Sequence, residues 1–211
     1  MRIEDGAKEI GEYLRKWKRE HSKLVVAIDG YTGVGKTTLL SELATINSDL
    51  LAVNRDDFLF SRKKVEELLN KAEDKSKVFE SQVLDVEKVK ALIHAFRNNQ
   101  NVYSTRVYNP ISGEIDIKKD FDLTKDILMI EGVFMFHPDL INHLWDKRIY
   151  LKGDLEKIDR RRVEREKESW GRDYIEEIRP DSYFRQVVIG LKRYQKDYNP
   201  EQIADLVIDL D

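Results

Sequence analysis

The residues with the most distinctive chemistry lie near the N-terminus, where four residues separate Gly30 from the run Gly35, Lys36 and Thr37. This is the phosphate-binding spacing G-x-x-x-x-G-K-[ST]. Glycines in such a loop let the backbone turn tightly, so that successive N–H groups can point at a polyphosphate. Lys36 supplies a mobile positive charge for the outer phosphates, and the Thr37 hydroxyl can reach a Mg²⁺ ion. The pattern predicts a site for a nucleoside triphosphate with Mg²⁺ and leaves the fate of the γ-phosphate open.

The segments on either side of this loop support that interpretation over a chance match. The apolar run Leu24–Ile28 is rich in β-branched residues, which is typical of a strand buried on both faces. A helix is predicted from about Lys36 to Ala44, and its positive end would face the same anion. The residues expected to contact the phosphates are Gly30, Thr32, Gly33, Val34, Gly35, Lys36, Thr37 and Thr38.

Acidic residues follow two further predicted strands, at the point where each strand ends. Asp56 and Asp57 come after the strand Leu50–Val53, and Glu131 closes the strand Asp126–Glu131. Because α/β sheets place ligands at the carboxyl ends of their strands, these side chains are candidates for chemistry beside the phosphate site. Glu131 could order Mg²⁺ through water. The alternatives are that the aspartates cap the next helix and that Glu131 is an ordinary strand terminus.

The segment DLEKIDRRRVEREKESW, residues 154–170, is predicted to form an arginine-rich helix. Arg161 and Arg165 stand at i,i+4 and Arg162 and Arg165 at i,i+3, so these like charges repel unless an anion lies between them. Arg172, after a hinge glycine, adds another cation. Arginine binds phosphate oxygens in bidentate fashion and stabilises charge in phosphoryl transfer. A lid over the phosphate site is favoured, and a solvated surface helix is the alternative.

The composition narrows the class of protein. The chain has 211 residues, of which 41% are hydrophobic and 36% charged, which suits one α/β domain with a small lid. A net charge of −3 gives no indication of a nucleic-acid or membrane partner. The absence of cysteine excludes disulfides and cysteine metal sites. The N-terminus lacks the apolar core of a signal peptide and no apolar run approaches transmembrane length, so a cytoplasmic protein is expected.

Strands and helices alternate along the rest of the chain, which predicts a parallel sheet with helices on both faces. An amphipathic helix over 3–20 is expected to pack on this sheet, with a short coiled-coil contact as the alternative. A surface helix followed by a mobile loop is expected over 61–77, and a hairpin over 102–117 beside the main sheet. His137 and His143 are interpreted as ordinary polar residues near helix ends, because two lone histidines without carboxylate company do not make a metal site. The other predicted elements are helices over 85–97, 139–145 and 181–194, and strands over 148–151 and 204–210.

Several of these segments together resemble the uridine kinase and phosphoribulokinase branch of the P-loop kinases, with nicotinamide riboside kinases as near relatives. The segments are VVAIDGYTGVGKTTL, the strand ending in RDDF, the strand ending in MIEGVF, and RRVEREKESWGRD. They occur in the branch's order and span roughly residues 24–173. The phosphate loop alone is widespread, whereas the ordered set is much more specific. The resemblance implies a P-loop NTPase type of α/β fold, as a single domain over 1–211 with a lid at about 154–173.

On the donor side, the resemblance implies that ATP and Mg²⁺ are bound. Thr37 and Glu131 match positions associated with Mg²⁺, and Lys36 matches the lysine that stabilises charge on the phosphates. The lid arginines that match phosphate contacts are Arg162, Arg165 and Arg172.

On the acceptor side, the resemblance implies a small-molecule alcohol. Asp56 matches the carboxylate that accepts the proton of a sugar hydroxyl. Tyr108 matches an aromatic residue that lines a nucleoside pocket, and Glu80 matches an acid that binds ribose hydroxyls. Two positions depart from the branch's pattern. Gly113 stands where pyrimidine-specific members have a His, which weakens the expectation of uridine or cytidine, and Trp170 replaces the first Arg of the R-G-R lid motif, which leaves the lid one cation short.

The leading hypothesis is an ATP-dependent kinase that phosphorylates a hydroxyl of a small molecule, above all the 5′-OH of a nucleoside or ribosyl compound. Pantothenate or a sugar phosphate is an alternative acceptor. A regulatory nucleotide-binding module without kinase activity is an alternative of another class, and Asp56 argues against it, since a switch needs no base for an alcohol. An ATPase linked to nucleic acid fits poorly with the acidic composition. A homo-oligomer remains open.

Overall fold

A parallel β-sheet forms the centre of the molecule in the computed structural model, which describes residues 1–171, 174–177, 179 and 182–210. The strands of this sheet lie in the order β2-β5-β1-β6-β7 and all their pairings are parallel. Their bounds are β1 Leu24–Gly30, β2 Leu50–Asn54, β5 Ile127–Glu131, β6 Lys147–Lys152 and β7 Leu206–Asp209. The predicted fold class is confirmed.

The central strands are apolar because both faces of the sheet are covered. Every residue of β1 and of β5 is buried, which explains their continuous runs of Val, Ile and Leu. The register pairs Ile28 with Glu131 and Glu131 with Asn54. β5 and β2 therefore end at the same level and β1 continues to Gly30, so the loops that follow them open on the same edge of the sheet.

Helices cover the sheet and carry the rest of the core. They are α1 Ile3–Trp17, α2 Lys36–Ile46, α3 Arg62–Lys71, α4 Lys75–Ser81, α5 Val86–Arg97, α6 Leu155–Trp170 and α7 Tyr183–Tyr198. The apolar face of α1, which includes Ile10 and Leu14, is buried in the main core, so α1 packs within the fold as expected. The predicted end of this helix at residue 20 is a short 3₁₀ turn over Lys18–Glu20. None of the described helices is long and apolar enough to cross a membrane.

The hairpin beside the main sheet is confirmed, but its second strand begins later than predicted. β3 Val102–Val107 pairs antiparallel with β4 Ile117–Asp122. Residues before Ile117 belong to the loop because Asp116 accepts hydrogen bonds from Asn109 Nδ2 at 2.9 Å and Ser112 Oγ at 3.0 Å. These local bonds satisfy polar groups inside the turn and compete with strand pairing.

Two further predictions of local structure were wrong. The loop expected at the end of 61–77 is α4, whose first N–H groups are capped by Asp74, which accepts from Ser76 N at 2.9 Å. Val78 of α4 is fully buried, so tertiary packing overrides the polar composition of this segment. The helix expected over 139–145 is a 3₁₀ turn, Asn142–Leu144. α7 runs from Tyr183 to Tyr198, so both of its ends lie a few residues further along the chain than the predicted 181–194.

Candidate active site

A cavity of about 850 Å³ opens at the edge where β1, β2 and β5 end. It receives side chains from the glycine-rich loop, from the turn after β2, from the end of β5, and from α6 and α7. The predicted residues that line it are Thr32, Gly33, Val34, Gly35, Lys36, Thr37, Thr38, Asp56, Tyr108, Glu131 and Arg165. The structure thus brings together most of the residues that the sequence singled out from five separate segments.

Glycines shape the loop that follows β1. Gly30 has φ +154°, and a Cβ there would lie 2.5 Å from the carbonyl oxygen of Leu151 on the neighbouring strand. Gly33 has φ +84°, and a Cβ there would lie 3.1 Å from Arg162 Cβ on α6. Side chains are excluded at both positions, by close approach at the first and by left-handed backbone at the second. The loop is therefore held tightly between β6 and α6.

Lys36 lies at the start of α2 and is only 7% exposed. Its ammonium donates to the carbonyl oxygens of Gly30 and Tyr31, both at 3.0 Å. Burial lowers the pKa of Lys36, and the nearby carboxylates of Glu131 and Asp29 oppose that effect. The loop carbonyls thus hold the ammonium within the loop, where it can face the outer phosphates of a nucleotide.

Thr37 and Glu131 line the same cavity as Lys36 and contact each other. Thr37 Oγ1 donates to Glu131 Oε1 at 2.8 Å, and Glu131 is 3% exposed. Burial raises the pKa of Glu131, while Lys36 and the Thr37 hydroxyl lower it. A hydroxyl and one carboxylate are hard oxygen donors, and they suit Mg²⁺, which takes few protein ligands and completes its shell with phosphates and water. Among the described residues no cluster of three or more His, Asp or Glu side chains could enclose a metal ion without such help.

Asp56 lies in a 3₁₀ turn, Arg55–Phe58, that directly follows β2. The side chain of Asn54 caps this turn by accepting from Asp56 N at 2.8 Å. Although the two neighbouring aspartates share this turn, their side chains point to different surroundings. Asp56 faces the cavity with a side chain that is 64% exposed, whereas Asp57 accepts from Lys119 Nζ at 2.6 Å. The capping role proposed as the alternative belongs to Asn54 and, for the next helix, to Ser61.

Arg55, which no sequence pattern predicted to be functional, lines the same cavity and is 3% exposed. Its Nη1 lies 3.5 Å from Asp56 Oδ1, while Nε and Nη2 have no hydrogen-bond partner in the part of the chain that the structure describes. Burial lowers the pKa of Arg55, and the carboxylates of Asp56 and Asp29 oppose this. A charged residue directly before a candidate base was the signal that could have identified it.

The arginines of α6 divide into two groups. Arg161 and Arg165 line the cavity, so their like charges converge where an anion would bind. Arg162 is 2% exposed and donates to three carboxylates instead, those of Asp159, Glu166 and Glu177. The structure therefore does not bring the Arg162 side chain into the cavity, because it is paired with these three carboxylates.

Two predicted features of the lid lie at the edge of the described chain. Arg172 lies outside the described residues, and so does the side chain of Trp170. The helix itself extends to Trp170 and is followed by Gly171 at φ +51°. Of the predicted lid arginines that the structure describes, Arg165 lines the cavity. Arg161, which was not assigned a phosphate contact, lines it as well.

Glu80 lies beneath the cavity wall rather than in it. It is 5% exposed, forms an ion pair with Arg193 of α7, and lies 3.4 Å from His137 Nε2. Arg193 Nη1 also donates to Ser76 Oγ at 2.9 Å. The structure thus places Glu80 in a buried network that joins α4 to α7, and gives it no contact with the cavity that would hold ribose hydroxyls.

Six aromatic side chains are among the residues that line the cavity. Tyr108 is tied to the turn that carries Asp56, since Tyr108 N donates to Asp57 O at 2.9 Å. The rings of Phe79 and Tyr183 lie 5.7 Å apart, from α4 and α7. The aromatic residues that line the cavity and were not predicted are Phe60, Phe79, Phe134, Tyr183 and Phe184.

The profile of the "Phosphoribulokinase / Uridine kinase family" matches residues 25–200. Uridine kinase of Borrelia duttonii is 25% identical over 191 residues, covering 87% of this chain and 85% of its own. Uridine kinase of Staphylococcus aureus is 25% identical over 189 residues, which cover 84% of this chain and 87% of the relative.

Solved structures show the same fold. A possible uridine kinase from Bacillus stearothermophilus superposes with a TM-score of 0.65 at 19% identity, covering 95% of this chain and 100% of its own. D-glycerate 3-kinase from Cryptococcus neoformans superposes with a TM-score of 0.68 at 11% identity, covering 97% and 95%.

Proposed function

This chain belongs to the phosphoribulokinase / uridine kinase family of P-loop kinases, and we propose that it transfers the γ-phosphoryl group of ATP to a hydroxyl of a nucleoside or ribosyl compound. One observation carries the proposal. A single cavity receives Lys36 and Thr37 of the phosphate loop, the exposed carboxylate of Asp56, and Arg165 of α6. Donor phosphates and an acceptor alcohol can therefore meet in one place.

Each of these residues has a task in phosphoryl transfer. The loop N–H groups and Lys36 would bind the phosphates, and Arg161 and Arg165 would stabilise the charge that spreads over the transferring group. Asp56 would accept the proton of the attacking hydroxyl as its bond to phosphorus forms. Thr37 and Glu131 would hold Mg²⁺, which neutralises the phosphates in this chemistry.

The aromatic residues that line the cavity support a flat acceptor. Tyr108 stands beside the turn of Asp56, and Phe79 and Tyr183 contact each other in the same cavity. Aromatic side chains bind planar rings by stacking, so a nucleobase linked to a ribose suits this pocket. The two uridine kinase relatives share that type of substrate by name.

An acceptor that carries an acid or phosphate group is the competing candidate, and Arg62 supports it. Arg62 lines the cavity, and its backbone N–H donates to the carbonyl oxygen of Gly113 at 2.7 Å. Gly113 has φ +76°, and a Cβ there would lie 2.9 Å from the Arg62 guanidinium carbon. An arginine side chain thus packs over the position where pyrimidine-specific relatives are expected to have a His. Pantothenate or a sugar phosphate would find a cation there.

A screen of acceptors tests the proposal. ADP formation is measured with Mg²⁺ and ATP or GTP, against nucleosides, nicotinamide riboside, pantothenate and sugar phosphates. We expect ADP formation that depends on one nucleoside or ribosyl compound and is lost in Asp56→Asn. Activity only with pantothenate or a sugar phosphate would favour the competing acceptor. Hydrolysis that no acceptor stimulates, with equal rates in Asp56→Asn, would contradict a kinase and favour a regulatory nucleotide-binding module.

A further inference from the structure

Arg55 is a charged side chain enclosed in the floor of the candidate active site. It is 3% exposed, and two of its donor atoms, Nε and Nη2, have no hydrogen-bond partner within the described residues. A buried guanidinium that leaves donors unsatisfied costs folding free energy. Most buried polar groups in proteins are paired, so an exception at a cavity calls for an explanation other than stability.

The surroundings of Arg55 are acidic. Its Nη1 lies 3.5 Å from Asp56 Oδ1, and the carboxylates of Asp29 and Glu131 act on its charge as well. The position is also enclosed on the side of β5, because a Cβ at Gly132 would lie 2.5 Å from Arg55 Cδ and 2.6 Å from its Cβ. Gly132 thus leaves the space that the arginine stem fills. Arg55 is fixed between the end of β5 and the turn that carries Asp56.

Asp56, in contrast, is held only loosely at its carboxylate. The cap from Asn54 fixes the backbone of the turn, whereas the side chain is 64% exposed and would sample several rotamers. The contact of 3.5 Å to Arg55 is long for a hydrogen bond, as is common for catalytic contacts before the substrate binds. A fixed cation beside an exposed carboxylate favours the rotamers that keep the carboxylate near the cation.

We propose that Arg55 is a positioning residue, which holds the carboxylate of Asp56 toward the acceptor hydroxyl during phosphoryl transfer. This inference rests on the proposed kinase function and adds to it a residue that acts through the base. It predicts that Arg55 affects kcat, and that this effect requires Asp56. A residue that merely supports the fold would affect catalysis equally whether or not position 56 is a base.

A double-mutant cycle separates these roles. Arg55→Met, Asp56→Asn and the double variant are compared with the wild type by steady-state kinetics, using the acceptor that the screen identifies. Arg55→Met should lower kcat by up to about 10²-fold, with the KM for ATP unchanged, because a misplaced catalytic group loses that much. In the Asp56→Asn background the same substitution should cause no further fall in kcat. Arg55→Lys, which keeps the charge but not the planar donor set, should recover part of the loss.

Arg148→Met is the matched control. Arg148 lies near the start of β6, away from the cavity, and donates to Asn142 Oδ1 and to Asn142 O, both at 2.7 Å. Its loss should lower the melting temperature and leave kcat unchanged. If Arg55→Met unfolds the protein, the cycle is run with Arg55→Lys in its place.

The outcomes distinguish the two proposals. If the wild type forms no ADP in response to any acceptor, the kinase function is wrong and the role of Arg55 falls with it. If the wild type is active but Arg55→Met keeps its kcat, the function stands and the positioning role is wrong. The positioning role is also wrong if Arg55→Met lowers kcat by the same factor in both backgrounds, since Arg55 would then act independently of Asp56.

Discussion

The hydroxyl of Thr37 donates to the carboxylate of Glu131 at 2.8 Å, across 94 residues of chain. This bond joins the first turn of α2 to the last residue of β5. It places the two oxygen donors suited to Mg²⁺ next to Lys36 and at the edge from which Asp56 faces the cavity.

Lys36→Ala should abolish turnover and weaken ATP binding, because the variant lacks the charge that faces the outer phosphates. Binding of a non-hydrolysable ATP analogue, measured by calorimetry, separates the binding loss from the catalytic loss. Lys23→Ala is the control, since Lys23 donates to the carbonyl oxygens of Leu123 and Lys125, away from the cavity. Lys23→Ala should lower thermal stability only. Wild-type turnover in Lys36→Ala would show that the loop is not the donor site.

Arg165→Ala should lower kcat more than it raises the KM for ATP. Arg165 lines the cavity together with Arg161, and both would contact the transferring phosphoryl group. Lost arginine contacts of this kind cost on the order of 10³-fold or more in kcat. Steady-state kinetics with saturating acceptor measure the effect. A variant that keeps its kcat would show that α6 is not a lid.

Arg162→Ala should instead destabilise the fold. Its three carboxylate partners, Asp159, Glu166 and Glu177, would lose their common cation, and Glu166 is itself 4% exposed. Removal of one partner from a buried ionic network costs about 3–5 kcal/mol. Urea unfolding of Arg162→Ala and Arg165→Ala compares the two directly. An unfolding free energy equal to that of the wild type would contradict the role assigned to the Arg162 network.

Asp56→Asn should lower kcat by about 10²–10⁴-fold while ATP binding survives, because asparagine cannot accept the proton. Asp57→Asn is the neighbouring control. Its carboxylate pairs with Lys119 at 2.6 Å, so its loss should change kcat little. Kinetics on both variants with the identified acceptor decide the matter. If Asp57→Asn is the inactive variant, the assignment of the base within the RDDF segment is off by one residue.

Glu80→Gln tests whether this acid binds the acceptor or supports the fold. The carboxylate is buried against Arg193 and His137, and loss of its charge should lower the unfolding free energy by about 1–3 kcal/mol. The KM for the acceptor should stay the same. A raised KM with unchanged stability would instead support the ribose-binding role implied by the resemblance.

Asp29→Asn should change how stability depends on pH. Asp29 is 1% exposed, and burial raises its pKa against the opposing hydrogen bond from Tyr194, whose hydroxyl donates to Asp29 Oδ2 at 2.6 Å. The folded state therefore keeps a proton on Asp29 that the unfolded chain releases from about pH 4 upward. Wild-type stability carries a contribution that falls as the pH rises from there to the raised pKa.

The asparagine variant cannot titrate, so its stability relative to the wild type should rise with pH across that window. Urea unfolding at a series of pH values measures this difference. Tyr194→Phe is the matched variant, since it lacks the donor that opposes the shift, and its pH-dependent window should extend to higher pH than that of the wild type. Parallel stability profiles for Asp29→Asn and the wild type would show that Asp29 does not titrate as its burial implies.

Local sequence patterns were sufficient to predict the glycine-rich loop, the buried strands and the position of Asp56 at the edge of the sheet. The shape of the loop Gly30–Thr37 depends on backbone turns that glycine permits, and the buried strands depend on unbroken apolar runs. Both are properties of consecutive residues, which is why the sequence alone predicts them. Asp56 and Glu131 follow from the same logic, because parallel strands end at one edge.

Charged residues with distant partners were decided only by the tertiary structure. Arg162 and Arg165 are three residues apart on one helix, yet Arg162 lies among carboxylates that include Glu177 and Arg165 faces the cavity. Glu80 is paired with Arg193, 113 residues away, and Arg55 is enclosed because Gly132 leaves space for it. A side chain's role depends on which groups desolvate it and which neutralise it. Those groups come from elements far apart in the chain, so spacing along the sequence does not determine them.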